Sequence, residues 1–211
     1  MFKKTLVIST HTDDAELGCG GTMSRLIDDG KEVFYVALSN CKNAIPAGFK
    51  KDMLNKECLN ATSILGIKKN KVFIFELENK IFPHIRDKVF EILEKLNKEI
   101  KPDTVLIPSQ NETHQDHRTV AKESIRAFRG NVNILCYEQP WNNLSFNTKF
   151  YVELEKQNID KKLAALKAYK TQLVQKKVYF EEDFIVGLAR VRGTQIGTKY
   201  AEAFEVIKMM I

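Results

Sequence analysis

The chain has only four cysteines, Cys19, Cys41, Cys58 and Cys136, and they show neither a CxxC pair nor a short regular spacing. Neither a disulfide framework nor a thiolate zinc site is indicated, so a reducing compartment is expected. Long hydrophobic runs are missing too: nothing approaches the ~20 apolar residues of a membrane helix. The opening "MFKKTLVIST" has too few apolar residues for the core of a signal peptide. No membrane span and a cytoplasmic address are therefore expected. Nor does charge of one sign dominate. The 33 Lys and Arg against 27 Asp and Glu leave +6, and the basic residues are scattered, with no arm or stripe. That pattern fits solubility or attraction for an anionic small molecule better than a nucleic-acid groove. With no repeat, low-complexity segment or linker, the 211 residues (1–211) read as a single domain.

What is present is alternation. Apolar runs suited to strands buried on both faces occur at 6–8, 33–38, 72–75, 104–107 and 132–137. Between them, apolar residues step at helical spacing: Leu54, Cys58, Ala61 and Leu65, then Ile85, Val89, Ile92, Leu96 and Ile100, then Ile159, Leu163, Leu166, Tyr169 and Leu173. The order predicts an α/β, Rossmann-like three-layer fold with a mostly parallel sheet and helices on both faces. In such sheets the first and fourth strands are commonly neighbours where the winding reverses, and ligands bind beyond their carboxyl ends.

Three of the four histidines lie in the loops after those two strands. The first loop reads "HTDDAE" from His11; the second ends "HQDH", His114 to His117. Two imidazoles and a carboxylate with one open position make a common catalytic zinc shell, in which the fourth position takes a water of lowered pKa. His11, Asp14 and His117 are the candidates for it. The neighbouring Asp13 is then free to act as general base. His114 could, as an imidazolium, stabilise an oxyanion, with Asp116 orienting one of the rings.

Plainer readings compete. Thr12, Asp13 and Asp14 could cap the helix starting near Leu17, with Glu16 favourable in its first turn. His84, after Pro83, reads as a hydrogen-bonded structural histidine. The "GCGG" at 18–21 lacks the third glycine of a dinucleotide fingerprint, since Met23 stands there, so close helix packing is the expected reason for these glycines.

At these residues the sequence resembles the LmbE/PIG-L family of metal-dependent deacetylases. That family's motifs are His-Pro-Asp-Asp-x-Glu, continued by Leu-Gly-Cys-Gly-Gly-Thr, and His-x-Asp-His. Here they read "HTDDAELGCGGT" and "HQDH". The strand "KPDTVLIP" and the later segments "KKLAALKAYKTQ", "ARVRG" and "YAEAF" extend the likeness over nearly the whole chain. The resemblance implies hydrolysis of the acetamide of an N-acetylated amino sugar or its conjugate to a free amine and acetate. It also implies zinc, or another divalent metal, on His11, Asp14 and His117, with Asp13 as base and His114 stabilising the intermediate. Thr12 replaces the family's usual proline, leaving the turn less pre-set.

Two rivals remain on the sequence alone. One is a dinuclear hydrolase of the metallo-β-lactamase type, whose motif would run from Glu112 through His114, Asp116 and His117. The other is a non-enzymatic nucleotide-binding module using "GCGG". Trp141 could form a wall against a sugar ring, with Asn142 near a hydroxyl, or anchor its loop. Arg190 and Arg192 could meet an acidic substrate group or pair with the run Glu181 to Asp183.

Overall fold

A computed structural model describes residues 2–210. Strands β1 (Lys4–Ser9), β2 (Glu32–Ala37), β3 (Val72–Ile74), β4 (Thr104–Pro108), β5 (Asn133–Tyr137), β6 (Phe150–Glu153) and β7 (Ala201–Lys208) form one sheet in the order β3-β2-β1-β4-β5-β7-β6. The first five are parallel, and β1 pairs with β4, Val7 opposite Leu106. The winding therefore reverses where the sequence predicts.

Residues alternate across β1. Val7 joins Tyr35, Leu106 and Tyr137 in the core on one face, while Leu6 and Ile8 join Val36, Val105 and Ile107 on the other. Helices α1 (Asp14–Asp28), α2 (Met53–Ile64) and α5 (Lys156–Lys167) cover the first face. Helices α3 (Arg86–Ile100) and α4 (Gln115–Ala127) cover the second. Burial on both faces explains why these strands read as continuous apolar runs. Helix α7 (Glu182–Thr194) packs on β7.

Two features differ from the sequence reading. The helix expected through Leu173 breaks after α5, and a short α6 (Lys170–Leu173) follows. Tyr169 sits at the break with ψ 69°, its fully buried side chain turned inward. The antiparallel pair β6 and β7 has no counterpart among the expected strands. Ala and Glu are poor strand formers, so "AEAFE" takes its place through pairing with β5 and through Glu202.

Glu202 explains a kink in α1. Cys19 leaves helical geometry (φ −147°, ψ 28°), freeing backbone donors in mid-helix. Glu202 accepts from Gly21 N at 3.0 Å and Thr22 N at 2.6 Å, and it is itself paired with the buried Lys162 at 2.7 Å. The glycines serve close packing. A Cβ on Gly18 would lie 2.3 Å from the Tyr137 ring, and one on Gly21 would lie 2.5 Å from Leu154. No room is left there for a pyrophosphate, which removes the physical basis of the nucleotide-binding rival.

Candidate active site

The loop after β1 is tied before any ligand is considered. Ser9 Oγ donates to the His11 carbonyl at 2.5 Å and accepts from Ala15 N at 3.0 Å, so Ser9 caps α1. Asp13, at the N-cap position, makes no side-chain cap bond, and its carboxylate lines the cleft instead. The capping role expected of Asp13 is therefore taken by Ser9.

The Thr12 carbonyl, in a residue 1% exposed, accepts from Tyr35 Oη at 3.1 Å and also from the Tyr169 hydroxyl. The same two hydroxyls meet Glu16 at 2.8 and 2.6 Å. Burial pushes the Glu16 carboxyl up to about 8 despite them. Two tyrosines thus fix through the carbonyl the turn that a proline would stiffen through φ.

His11, Asp14 and His117 are brought together. His11 Nδ1 lies 3.1 Å from Asp14 Oδ2, His117 Nε2 lies 3.1 Å from the same oxygen, and the two ring nitrogens are 3.2 Å apart. Ligands about 2.0–2.1 Å from a tetrahedral metal stand roughly 3.3 Å from one another, so this donor triangle has the size of one face of such a shell. One nitrogen each from His11, His114 and His117 also cluster, but only within 4.8 Å. In that cluster His114 Nδ1 is already engaged by Asp116 N at 3.2 Å.

Each corner of the triangle is held from behind. Asp116, fully buried, approaches His11 Nε2 at 3.4 Å and accepts the backbone N–H groups of Lys80 and Phe82 at 2.5 and 3.2 Å. Glu112, also fully buried, stands 2.5 Å from His117 Nδ1 in an ion-pair contact. Gln139 Nε2 donates to Asp14 Oδ1 at 3.2 Å. Such partners fix ring orientation and ligand basicity. The sequence reading placed Asp116 in this role but met Glu112 only as part of a rival motif, and it missed Gln139. Asp116 is engaged by His11 and by two backbone donors. Removing either carboxylate as Glu112→Gln or Asp116→Asn is expected to weaken metal affinity roughly 10–100-fold. Competition titration against a chelating dye measures this directly.

Burial alone would raise Asp14 and lower both imidazoles. The attraction between them outweighs it, holding the Asp14 carboxyl well below the usual range and raising His11 and His117. Burial and the neighbouring Asp14 push Asp13 up to about 6. Burial, with His117 and His11 nearby, lowers His114 to about 4. His114 Nδ1 accepts from Asp116 N at 3.2 Å as the N-cap of α4, which places the ring proton on Nε2. The ring is therefore a neutral donor and not the imidazolium of the sequence reading.

The cleft holds about 230 Å³. Cys41 and Ala44 line it from the loop after β2, and Trp141 and Asn142 from the loop after β5. Gln172, in α6, and Gln175, Lys177 and Tyr179, between α6 and α7, form a further wall, the last three without a periodic signal in the sequence. Trp141 stacks on Tyr179 with centroids 4.3 Å apart and planes 8° apart, so it is both anchored and part of the cleft surface. Arg192 pairs with Glu138 and not with the 181–183 run. Arg190 lies over Tyr200 at 5.9 Å, and His84 is exposed in the 3₁₀ turn Phe82–His84.

Residues 6–128, more than half of the chain, match the family model described as PIG-L, GlcNAc-PI de-N-acetylase. The uncharacterized deacetylase YaiS of Escherichia coli (strain K12) is 28% identical over 80% of this chain and 91% of its own length. The diacetylchitobiose deacetylase of Thermococcus kodakarensis is 26% identical over 97% of this chain and 83% of its own. The solved N,N'-diacetylchitobiose deacetylase of Pyrococcus horikoshii, in complex with its inhibitor MPG, superposes with a TM-score of 0.81 at 24% identity, covering 97% of this chain and 84% of that one. The likeness read from "HTDDAELGCGGT" and "HQDH" holds over the fold as well, and the chain belongs to the PIG-L (GlcNAc-PI de-N-acetylase) family.

Proposed function

We propose that the protein is a metal-dependent N-deacetylase that cleaves the acetamide of an N-acetylated amino sugar or its conjugate, releasing acetate and a free amine. The observation that carries this reading is the triangle of His11 Nδ1, Asp14 Oδ2 and His117 Nε2, beside an Asp13 carboxylate with no structural bond to make. The donor set, two imidazoles and a carboxylate, suits zinc; iron, cobalt and manganese accept it too. A divalent ion bound there would supply Lewis acidity, lowering the pKa of water and polarising the amide carbonyl.

The remaining chemistry belongs to the chain's own residues. Asp13 takes the proton of the attacking water and, once protonated, can return it to the departing nitrogen. His114 donates from Nε2 to the amide oxygen as that oxygen gains charge. The Trp141 and Tyr179 stack offers an apolar face to a sugar ring, and Asn142 and Gln175 supply neutral polar groups for hydroxyls.

The test is acetate release from N-acetylglucosamine, diacetylchitobiose and their conjugates, after chelation and after reconstitution with zinc, cobalt, iron or manganese. Activity lost to the chelator and regained with one metal per chain is expected. Full activity in protein shown by elemental analysis to be metal-free would refute the reading. So would failure of every acetylated sugar in the reconstituted enzyme.

A further inference from the structure

Lys177 lines the cleft, and among the described residues it forms no close ion pair with a carboxylate. Its Nζ donates to a neutral acceptor, Gln172 Oε1 at 2.8 Å, and lies 5.7 Å from the Tyr179 ring centroid. Gln172 is 7% exposed, and Gln175 Nε2 donates to the same oxygen at 3.2 Å, so the ammonium rests on a prepared support. Among the described residues lining this cleft, Lys177 is the single lysine or arginine. Nearby lysines are treated differently. Lys42, in the adjoining recess, is paired with Glu76 at 2.9 Å, and Lys162 with Glu202 at 2.7 Å.

A half-buried ammonium whose hydrogen-bond acceptor is a neutral amide keeps N–H donors free for an anion. The stacked Trp141 and Tyr179 beside it form the surface on which a sugar ring would lie. An acidic group on that ring, or on its linkage, would meet the ammonium in a charge-assisted hydrogen bond.

We propose that Lys177 determines specificity by binding an acidic substituent, phosphate or carboxylate, of the N-acetylated amino sugar. This rests on the deacetylase reading above for the nature of the reaction, but not for the binding itself. The alternative task for Lys177 is to keep Asp13 ionised, since its charge lowers the Asp13 carboxyl.

Two measurements on the metal-loaded protein separate these cases. The first is kcat/KM on N-acetylglucosamine, its 1-phosphate, its 6-phosphate and N-acetylmuramic acid, for the parent, Lys177→Met and Lys177→Arg. At least one acidic substrate should exceed the neutral sugar roughly tenfold or more through KM; Lys177→Met should bring that ratio near one, and Lys177→Arg should retain most of it. Preference for a phosphate or for the carboxylate identifies the source of the negative charge. Equal or better turnover of the neutral sugar by the parent overturns the proposal. So does a fall in kcat on neutral and acidic substrates alike with a displaced acid limb, which is the signature of tuning the base.

The second measurement is calorimetric binding of the same compounds to Asp13→Asn, with and without Lys177→Met. Acidic ligands bound through Lys177, with no acetate released from any of these compounds by the metal-loaded parent, would uphold the site and refute the deacetylase. Turnover of neutral sugars, with no difference in binding between neutral and acidic ligands, would do the reverse.

Discussion

Asp13→Asn is expected to lower turnover roughly 10²–10⁴-fold while leaving the metal content of the protein unchanged. Two adjacent aspartates could share one task, but their surroundings separate them. Asp14 Oδ2 accepts from His11 N at 2.8 Å and faces both imidazoles, and Oδ1 is held by Gln139. Asp13 has no such bonds and opens into the cleft with its carboxyl pushed up to about 6, close to the pH at which a base works best. The asparagine keeps size and polarity and removes only the proton acceptor. Asp14→Asn replaces a ligand oxygen and should lose the metal together with the activity. Metal analysis and acetate release on the same two preparations check both outcomes. Parental rates in Asp13→Asn would transfer the role of base to another group.

The second large effect concerns stability and lies away from the chemistry. Glu202→Ala is expected to cost about 3–5 kcal/mol, because it leaves the Lys162 ammonium buried without its partner. The same change orphans the N–H groups of Gly21 and Thr22 at the kink in α1. A double variant, Lys162→Met with Glu202→Gln, removes the charge pair and retains one acceptor oxygen for one of the two donors. It should recover the part of the loss that comes from the buried charge. Urea unfolding of the parent, the single and the double variant measures this. If the double variant were no more stable than Glu202→Ala, the buried charge would not be the cause.

The part of the molecule that binds β1 to β4 was legible because its signals are local. Continuous apolar strands, helical spacing and two polar loops each lie within a dozen residues, and the switch-point rule joins the loops in space. Glu112 was visible as a residue but not as a partner of His117, since a carboxylate five residues away on an irregular loop has no periodicity to declare its direction. Gln139, Lys177 and Tyr179 reach the cleft only through the packing of β5 and the segment between α6 and α7. Strand β7 was hidden for a related reason. The residues Ala201 to Glu205 follow the demands of β5 and of the α1 kink, which lie far away in sequence. The neutral state of His114 also required the structure, because it depends on which atom caps α4.

The donor triangle, its three supports and the base all come from residues 11–139, whereas the aromatic wall and the unpaired ammonium come mainly from residues 141–179. The polar cluster and the aromatic wall thus come from consecutive stretches of the chain that meet at one cleft. The family match over 6–128 therefore spans the triangle and two of its supports, and the aromatic wall lies outside it.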